Sequence, residues 1–231
     1  MESIQIIHQD DHILIVNKPE GLLSIVDGYN PTLPHIKQLL EPEFGPLWMV
    51  HSLDKETSGV MVLARTAEAH RVLNQQFMTR EVSKGYICLV SPIPEWKIQK
   101  VALPLLTNTG RKHLTRVHHE KGKPAQSDFT VLDKHEAKNI CVLECRIKTG
   151  YRHQIRAHLY SLGLGILGDP LYAPPQQKQP PQNFSRMMLH ASAIGFIHPE
   201  SQEPVRFKAK TPQSFFEVFE KATPTKWDTA V

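Results

Sequence analysis

The run His51-Ser52-Leu53-Asp54-Lys55-Glu56-Thr57-Ser58-Gly59, continuing into Val60-Met61-Val62-Leu63-Ala64, joins a polar loop with a central acid to an unbroken apolar segment. An apolar run of this length, entered from a turn, reads as a strand buried on both faces. Asp54 then stands at the mouth of the core, on a loop with one end anchored. Thr57 and Ser58 have hydroxyls that bond nearby backbone and fix such a loop. Gly59 permits a sharp backbone turn into the strand. On these residues alone, Asp54 either closes a turn or performs chemistry.

The flanking sequence supplies the rest of a mixed fold. Residues 3–7 and 12–16 are β-branched runs separated by Gln9-Asp10-Asp11, the pattern of two linked strands. Pro19 and Gly21 punctuate a loop over 17–23. Thr32 is placed to cap a short helix carrying Ile36, Leu39 and Leu40, which Glu41-Pro42 should end. After the Asp54 strand, Thr66 caps a second helix with Glu68 in its first turn and Ala69, Val72, Leu73 and Phe77 as its apolar stripe. Residues 82–90 read as a strand with Tyr86 near its start, and a tyrosine there is ordinarily an amphipathic core-edge residue. Further strands fall at 130–132 and 141–143, where Cys141, Leu143, Cys145 and Ile147 share a face.

A helix opening at Thr149 and stopping near Gly163 places Ile155, Leu159 and Leu162 on one stripe, and Arg152 and Arg156 together on another face. Residues 173–183, rich in proline and glutamine, read as a mobile surface loop. Final strands are expected at 189–193 and 204–209. A helix opening at Thr211-Pro212 should carry Phe215, Val218, Phe219 and Ala222, with a frayed tail after Lys221.

Composition narrows the partner. The chain has 231 residues, 40% hydrophobic and 22% charged, enough for one large domain or two small lobes with a real core. A net charge of +4 permits an acidic polymer as partner without demanding one. The basic stretch 111–123, with Arg111, Lys112 and Arg116, is either a solvated surface or a strip that contacts phosphates. Three cysteines without a CxxC read as buried thiols in a reducing compartment, with no metal role. No signal-peptide pattern or membrane-length apolar run is present, so a soluble, cytoplasmic protein is expected. The sequence has no GxGxxG, P-loop, HExxH or GxSxG. A hydrolase with paired carboxylates would need a second acid across from Asp54, and Glu56 lies too close in sequence to be assumed there.

The ordered motifs resemble those of the RluA family of RNA pseudouridine synthases. His51 to Gly59 is similar to HRLDxxTSG, Asn17 to Leu23 to the family's first motif, and Lys84-Gly85-Tyr86 to K-x-Y. Arg152 to Arg156 is similar to GR[TS]HQIR, and Gly168-Asp169-Pro170-Leu171-Tyr172 to GDxxY. The similarity runs from Asn17 to about Pro212, and Gly122 to Gln126 resembles particularly the ribosomal large subunit pseudouridine synthase A branch.

This resemblance implies an α+β fold with a mixed, mainly antiparallel sheet in two lobes around a catalytic cleft. It implies one catalytic domain over 1–231 without an N-terminal S4 domain, acting as a monomer without cofactor or metal. The implied activity is isomerisation of uridine to pseudouridine in structured RNA, in a tRNA anticodon stem-loop, 23S rRNA or both. Asp54 would act on the ribose, as nucleophile at C1′ or base at C2′. Tyr86 would stack on the uracil and Arg156 would pair with Asp54. Substrate contacts are expected from His51, Ser52, Thr57, Lys84, Arg152, His153 and Gln154, and from Arg111, Lys112 and Arg116.

Two positions depart from the family pattern. Ser52 replaces an arginine that helps displace the target base, and Tyr151-Arg152 replaces the usual pair before His153. Ser52 favours the alternative of a weakly active or inactive member that binds or folds RNA.

Overall fold

The computed structural model describes residues 3–173, 184–219 and Trp227. In chain order the elements are β1 (Gln5–Gln9), β2 (Ile13–Lys18), α1 (Ile36–Phe44), β3 (Trp48–Met49), β4 (Ser58–Ala64), α2 (Ala67–Thr79) and β5 (Ser83–Ser91). There follow β6 (Ile98–Val101), β7 (Leu105–Thr109), β8 (Leu114–Val117), β9 (Ser127–His135) and β10 (Ile140–Ile147). The last are α3 (Gln154–Ser161), β11 (Gly165–Ile166), β12 (Leu189–Ile197), β13 (Pro204–Lys208) and α4 (Gln213–Phe219). The class is α+β with a mixed, mainly antiparallel sheet. The chain divides into two compact units, one formed by 1–84 and 191–210, the other by 85–190 and 211–231.

In the first unit β2 pairs antiparallel with β1 and β4, from Ile13 opposite Ala64 to Lys18 opposite Gly59. β4 is buried throughout, as a strand covered on both faces should be. β3 adds to β4, and β13 adds to β12. Gly59 has φ +124°, and a Cβ built there would stand 2.2 Å from the Ala191 carbonyl oxygen. Close backbone approach, as well as the turn, demands glycine at this position. Thr66 caps α2 as expected, accepting a hydrogen bond from Ala69 N at 3.1 Å. Buried Gln76 ties α2 to the end of β12 through both Ile197 N and O.

α1 differs from the sequence expectation at both ends. Its cap is His35, whose Nδ1 accepts from Gln38 N, and Thr32 instead bonds Asn30. The helix runs through Pro42 to a Gly45 terminus. The carbonyl that Pro42 deprives of a donor belongs to Gln38, an exposed residue, so water can satisfy it. Leu39 is exposed, leaving Ile36 and Leu40 as the buried stripe.

In the second unit β10 lies between β5 and β9, β6 extends β9, and β11 adds to β5. β7 and β8 form a separate antiparallel ribbon. All three cysteines are buried and reduced. Burial pushes the Cys141 thiol up to about 12 and raises Cys145 well above the ordinary range, so neither is a thiolate. The expected loop at 173–183 lies outside the described residues except for Ala173. Of the tail after Lys221 only Trp227 is described, and it is buried, stacked on Phe216 of α4 at 4.8 Å. A free indole face finds apolar cover there, which corrects the expectation of fraying at that residue.

Candidate active site

Asp54 is half-buried on the loop between β3 and β4. The residues on either side of it are held by the segment that follows β2. Ser24 Oγ accepts from Leu53 N at 3.0 Å and donates to Leu53 O at 2.7 Å. Lys55 O accepts from Gly21 N at 2.8 Å and from Lys18 Nζ at 3.2 Å. Lys18 is 0% exposed and also donates to the carbonyls of Pro19 and Leu22, at 2.9 and 2.8 Å. A buried ammonium is tolerated only where dipoles replace its water, and three carbonyls do so here. Thr57 N closes the loop on Asp54 O at 3.1 Å, and the Thr57 side chain is buried.

Local sequence rules make 17–23 a punctuated loop and assign no role to Lys18 or Ser24. The signal available was a lysine at the end of an apolar strand within a recurring motif.

His51 lies two residues beyond β3 and continues its pairing with a side chain. Its Nε2 accepts from Val62 N at 3.1 Å, and its ring stacks on Phe77 at 4.9 Å. Burial, helped by the charge of Lys84, pushes its pKa down to about 3. The ring is therefore neutral, with its proton on Nδ1. Lys84 stands 5.9 Å from the centre of the Phe77 ring, and burial, with a smaller effect from Arg80, lowers it to about 8. Ser52 is exposed.

In the second unit Arg156 is 1% exposed and forms a two-pronged ion pair with Asp169: Nε to Oδ2 and Nη2 to Oδ1, both at 2.7 Å. The guanidinium also lies 5.0 Å from the centre of the Tyr172 ring. Asp169 Oδ1 further accepts from the backbone N–H groups of Leu171 and Tyr172. Tyr172 OH accepts from Thr115 N at 2.7 Å and meets His153 Nδ1 at 3.1 Å. A guanidinium so gripped keeps one orientation. Tyr86, on β5 opposite Cys145, is buried.

Gln154 is buried and committed internally. Its Oε1 accepts from Thr149 Oγ1 and Tyr151 N, and its Nε2 donates to Gln126 O and Ser127 Oγ. These bonds organise 149–153 as a loop, with His153 at φ +54°, so α3 begins only at Gln154. Arg152 thus precedes the helix and does not share a face with Arg156, contrary to the sequence expectation. It is exposed and reaches Asn108 Oδ1 of β7 at 3.3 Å. Arg111, Lys112 and Arg116 are exposed on the same β7–β8 ribbon.

Among the described residues no cluster of three or more His, Cys, Asp or Glu is placed to hold a metal ion, and no helix is long and apolar enough to cross a membrane.

The chain is 36% identical over 204 residues to the dual-specificity RNA pseudouridine synthase RluA of Escherichia coli K12, covering 88% of this chain and 91% of that one. It is 33% identical over 225 residues to the ribosomal large subunit pseudouridine synthase D of Zymomonas mobilis, covering 91% and 70%. The solved structure of human RNA pseudouridylate synthase domain containing 1 superposes with a TM-score of 0.76 at 25% identity, covering 93% of this chain and 85% of that one. Residues 12–161 match the RNA pseudouridylate synthase family model, and the chain belongs to that family.

Proposed function

We propose that this chain converts specific uridines to pseudouridine in tRNA, 23S rRNA or both, with Asp54 as the catalytic residue. The observation that carries this reading is the clamp on Asp54. Lys18, Gly21 and Ser24 fix the residues on either side of one acid and leave that acid half-buried. Such fixation has a purpose where a reacting group must meet a substrate in one geometry.

In the reaction, the N1–C1′ bond of uridine breaks, the uracil turns, and C5 bonds to C1′. The C5 proton leaves and N1 gains one, so neither redox cofactor nor energy input is needed. Asp54 acts on the ribose in its ionised form. In this reading Arg156, held in one orientation by Asp169, completes the catalytic set. Tyr86 stacks on the detached base. The target nucleotide must leave its stack, at a cost of a few kcal/mol that is least in a loop. Arg111, Lys112, Arg116 and Arg152 offset this cost through the RNA backbone. His51, Thr57, His153 and Gln154, each with an internal bond or burial, shape the site rather than read the RNA. Ser52 and Lys84 complete the set of residues near the substrate. The reading includes action as a monomer in the cytoplasm.

The test is pseudouridine mapping of cellular RNA, by carbodiimide labelling and primer stops, in a strain lacking this protein. One or a few sites should disappear, return with the wild type, and stay absent with Asp54→Asn. Restoration by Asp54→Asn would overturn the assignment of Asp54. No missing site, despite good expression and RNA binding, would point to a non-catalytic RNA-binding protein.

A further inference from the structure

Residues 24–35 leave and rejoin the first unit at one point. Leu23 and His35 form a parallel bridge, and Ile36 N donates to Leu23 O at 2.9 Å. Ser24, at the foot of this excursion, is the residue that clamps Leu53 beside Asp54. The tip is ordered by its own side chains. Asp27 Oδ1 accepts from Tyr29 N at 2.8 Å and Asn30 N at 2.9 Å, and Asn30 Oδ1 accepts from the Thr32 hydroxyl at 2.6 Å. The N–H groups of Asn30 and Tyr29 hold the Asp27 carboxyl below its ordinary range, and the charge of Lys55 adds to this.

This ordered tip presents apolar surface. Tyr29 is 87% exposed, Ile25 55% and Val26 52%. Single exposed hydrophobic residues need no explanation, but here three fall within five positions of one loop whose backbone is held in shape. The loop bearing Asp54 offers no comparable surface, since its exposed residues Ser52 and Lys55 have no flat apolar face. Tyr29 follows Ser24 by five residues, at most about 18 Å of chain, so it stays within a few nucleotides of whatever Asp54 engages. A base has an apolar π-face whatever its identity, and an aromatic ring is its usual platform in single-stranded RNA.

We propose that Tyr29 is a stacking platform for an unpaired nucleotide flanking the target uridine, with Ile25 and Val26 widening the contact. This rests on the reading that the chain acts on RNA at Asp54. A nucleotide drawn toward Asp54 leaves its neighbours with uncovered faces, and Tyr29 covers one of them. The backbone that carries the tyrosine is already fixed by Asp27, so binding need order only the side chain.

The experiment uses the full chain and a fluorescein-labelled anticodon stem-loop hairpin. Affinity is read by anisotropy, and pseudouridine formation is read on the same RNA. Tyr29→Ala should weaken binding and raise KM about 5- to 100-fold with kcat unchanged, and Tyr29→Phe should bind like the wild type. In hairpins with one abasic nucleotide, a single loop position should erase the difference between wild type and Tyr29→Ala. Unchanged affinity in Tyr29→Ala would overturn the proposal and leave this apolar surface to a protein partner. Equal loss in the Ala and Phe variants would also overturn it, because the hydroxyl would then be the contact. If the wild type forms no pseudouridine in this hairpin yet binds it in a Tyr29-dependent way, stacking on Tyr29 stands, its placement beside a target uridine fails, and the mapping in cells decides the functional reading separately.

Discussion

Replacing Lys18 by Met tests whether the clamp on Asp54 matters. The substitution keeps a flexible apolar stem of similar length and removes the ammonium that binds the carbonyls of Pro19, Leu22 and Lys55. Hydrogen bonds from a charged donor contribute about 1.5–3 kcal/mol each, so the gross loss is about 5–9 kcal/mol. Against this, the folded state no longer keeps a charge out of water, a saving of several kcal/mol. The net destabilisation should be about 3–5 kcal/mol, the balance of three carbonyls left without their donor against that saving. With a slope of about 2–3 kcal/mol/M, the urea midpoint should fall by about 1–2.5 M. At low denaturant, where the variant is still folded, kcat should fall about 100-fold, because Lys55 moves and Asp54 moves with it. A midpoint within about 0.3 M of wild type, or a kcat within twofold, would show that Ser24 and Gly21 hold the loop without Lys18.

Asp169→Ala should destabilise the chain by about 3–5 kcal/mol in urea melts, because it strands the buried Arg156 guanidinium. It should also lower kcat, and a fall in RNA affinity alone would contradict the orienting role. Stability should decline below neutral pH. The folded chain holds His51 near 3 against 6.5 unfolded, so its contribution is complete above about pH 6.5 and is lost as pH falls toward 3. Asp10 acts lower down: held near 2 against 3.8, it stabilises above about pH 4, and that contribution is lost as pH falls toward 2. Urea midpoints between pH 8 and 5 check the first effect, and a His51 ring that titrates near 6.5 by NMR would refute it. Alanine at Arg111, Lys112 or Arg116 should reduce the slope of log affinity against log salt by about 0.7–0.9 for each phosphate that the removed side chain neutralised. An unchanged slope would make the ribbon an ordinary solvated surface.

What could be read from sequence was what is local. The buried strand after Gly59 and the Thr66 cap depend on neighbours within four residues and appear in the structure, while the α2 stripe is met at Ala69 and Leu73, with Val72 and Phe77 half-buried and Gln76 buried beside them. Errors arose where a distant group intervened. Helical spacing puts Arg156 on one face with Arg152 and gives no sign of its ion pair with Asp169, thirteen residues on, which holds it in the interior. α3 starts late because the Gln154 side chain bonds back to Thr149 and Tyr151 and across to Gln126 and Ser127. Lys18 ends a run of buried strand residues, and no pattern rule distinguishes a solvated lysine there from one whose water has been replaced by three carbonyls.

These placements divide the candidate residues by what their loss should change. Asp54 and Arg156 are each fixed by groups of their own unit that have no need to touch RNA: Lys18 and Ser24 for the first, Asp169 and Tyr172 for the second. On the proposed reading, losing one of those supports displaces a reacting group and leaves the exposed cationic residues alone, so kcat should fall while affinity holds. Arg111, Lys112, Arg116 and Tyr29 are exposed and stand outside both sets of supports, so their loss should change affinity and spare kcat. The Ser52 departure belongs with the second class. It removes reach from an exposed position and leaves the fixation of Asp54 untouched, because Leu53 and Lys55 are held through backbone atoms that no side chain at 52 supplies. On the proposed reading, a serine there bears on how the RNA is gripped and leaves the chemistry assigned to Asp54 unaffected.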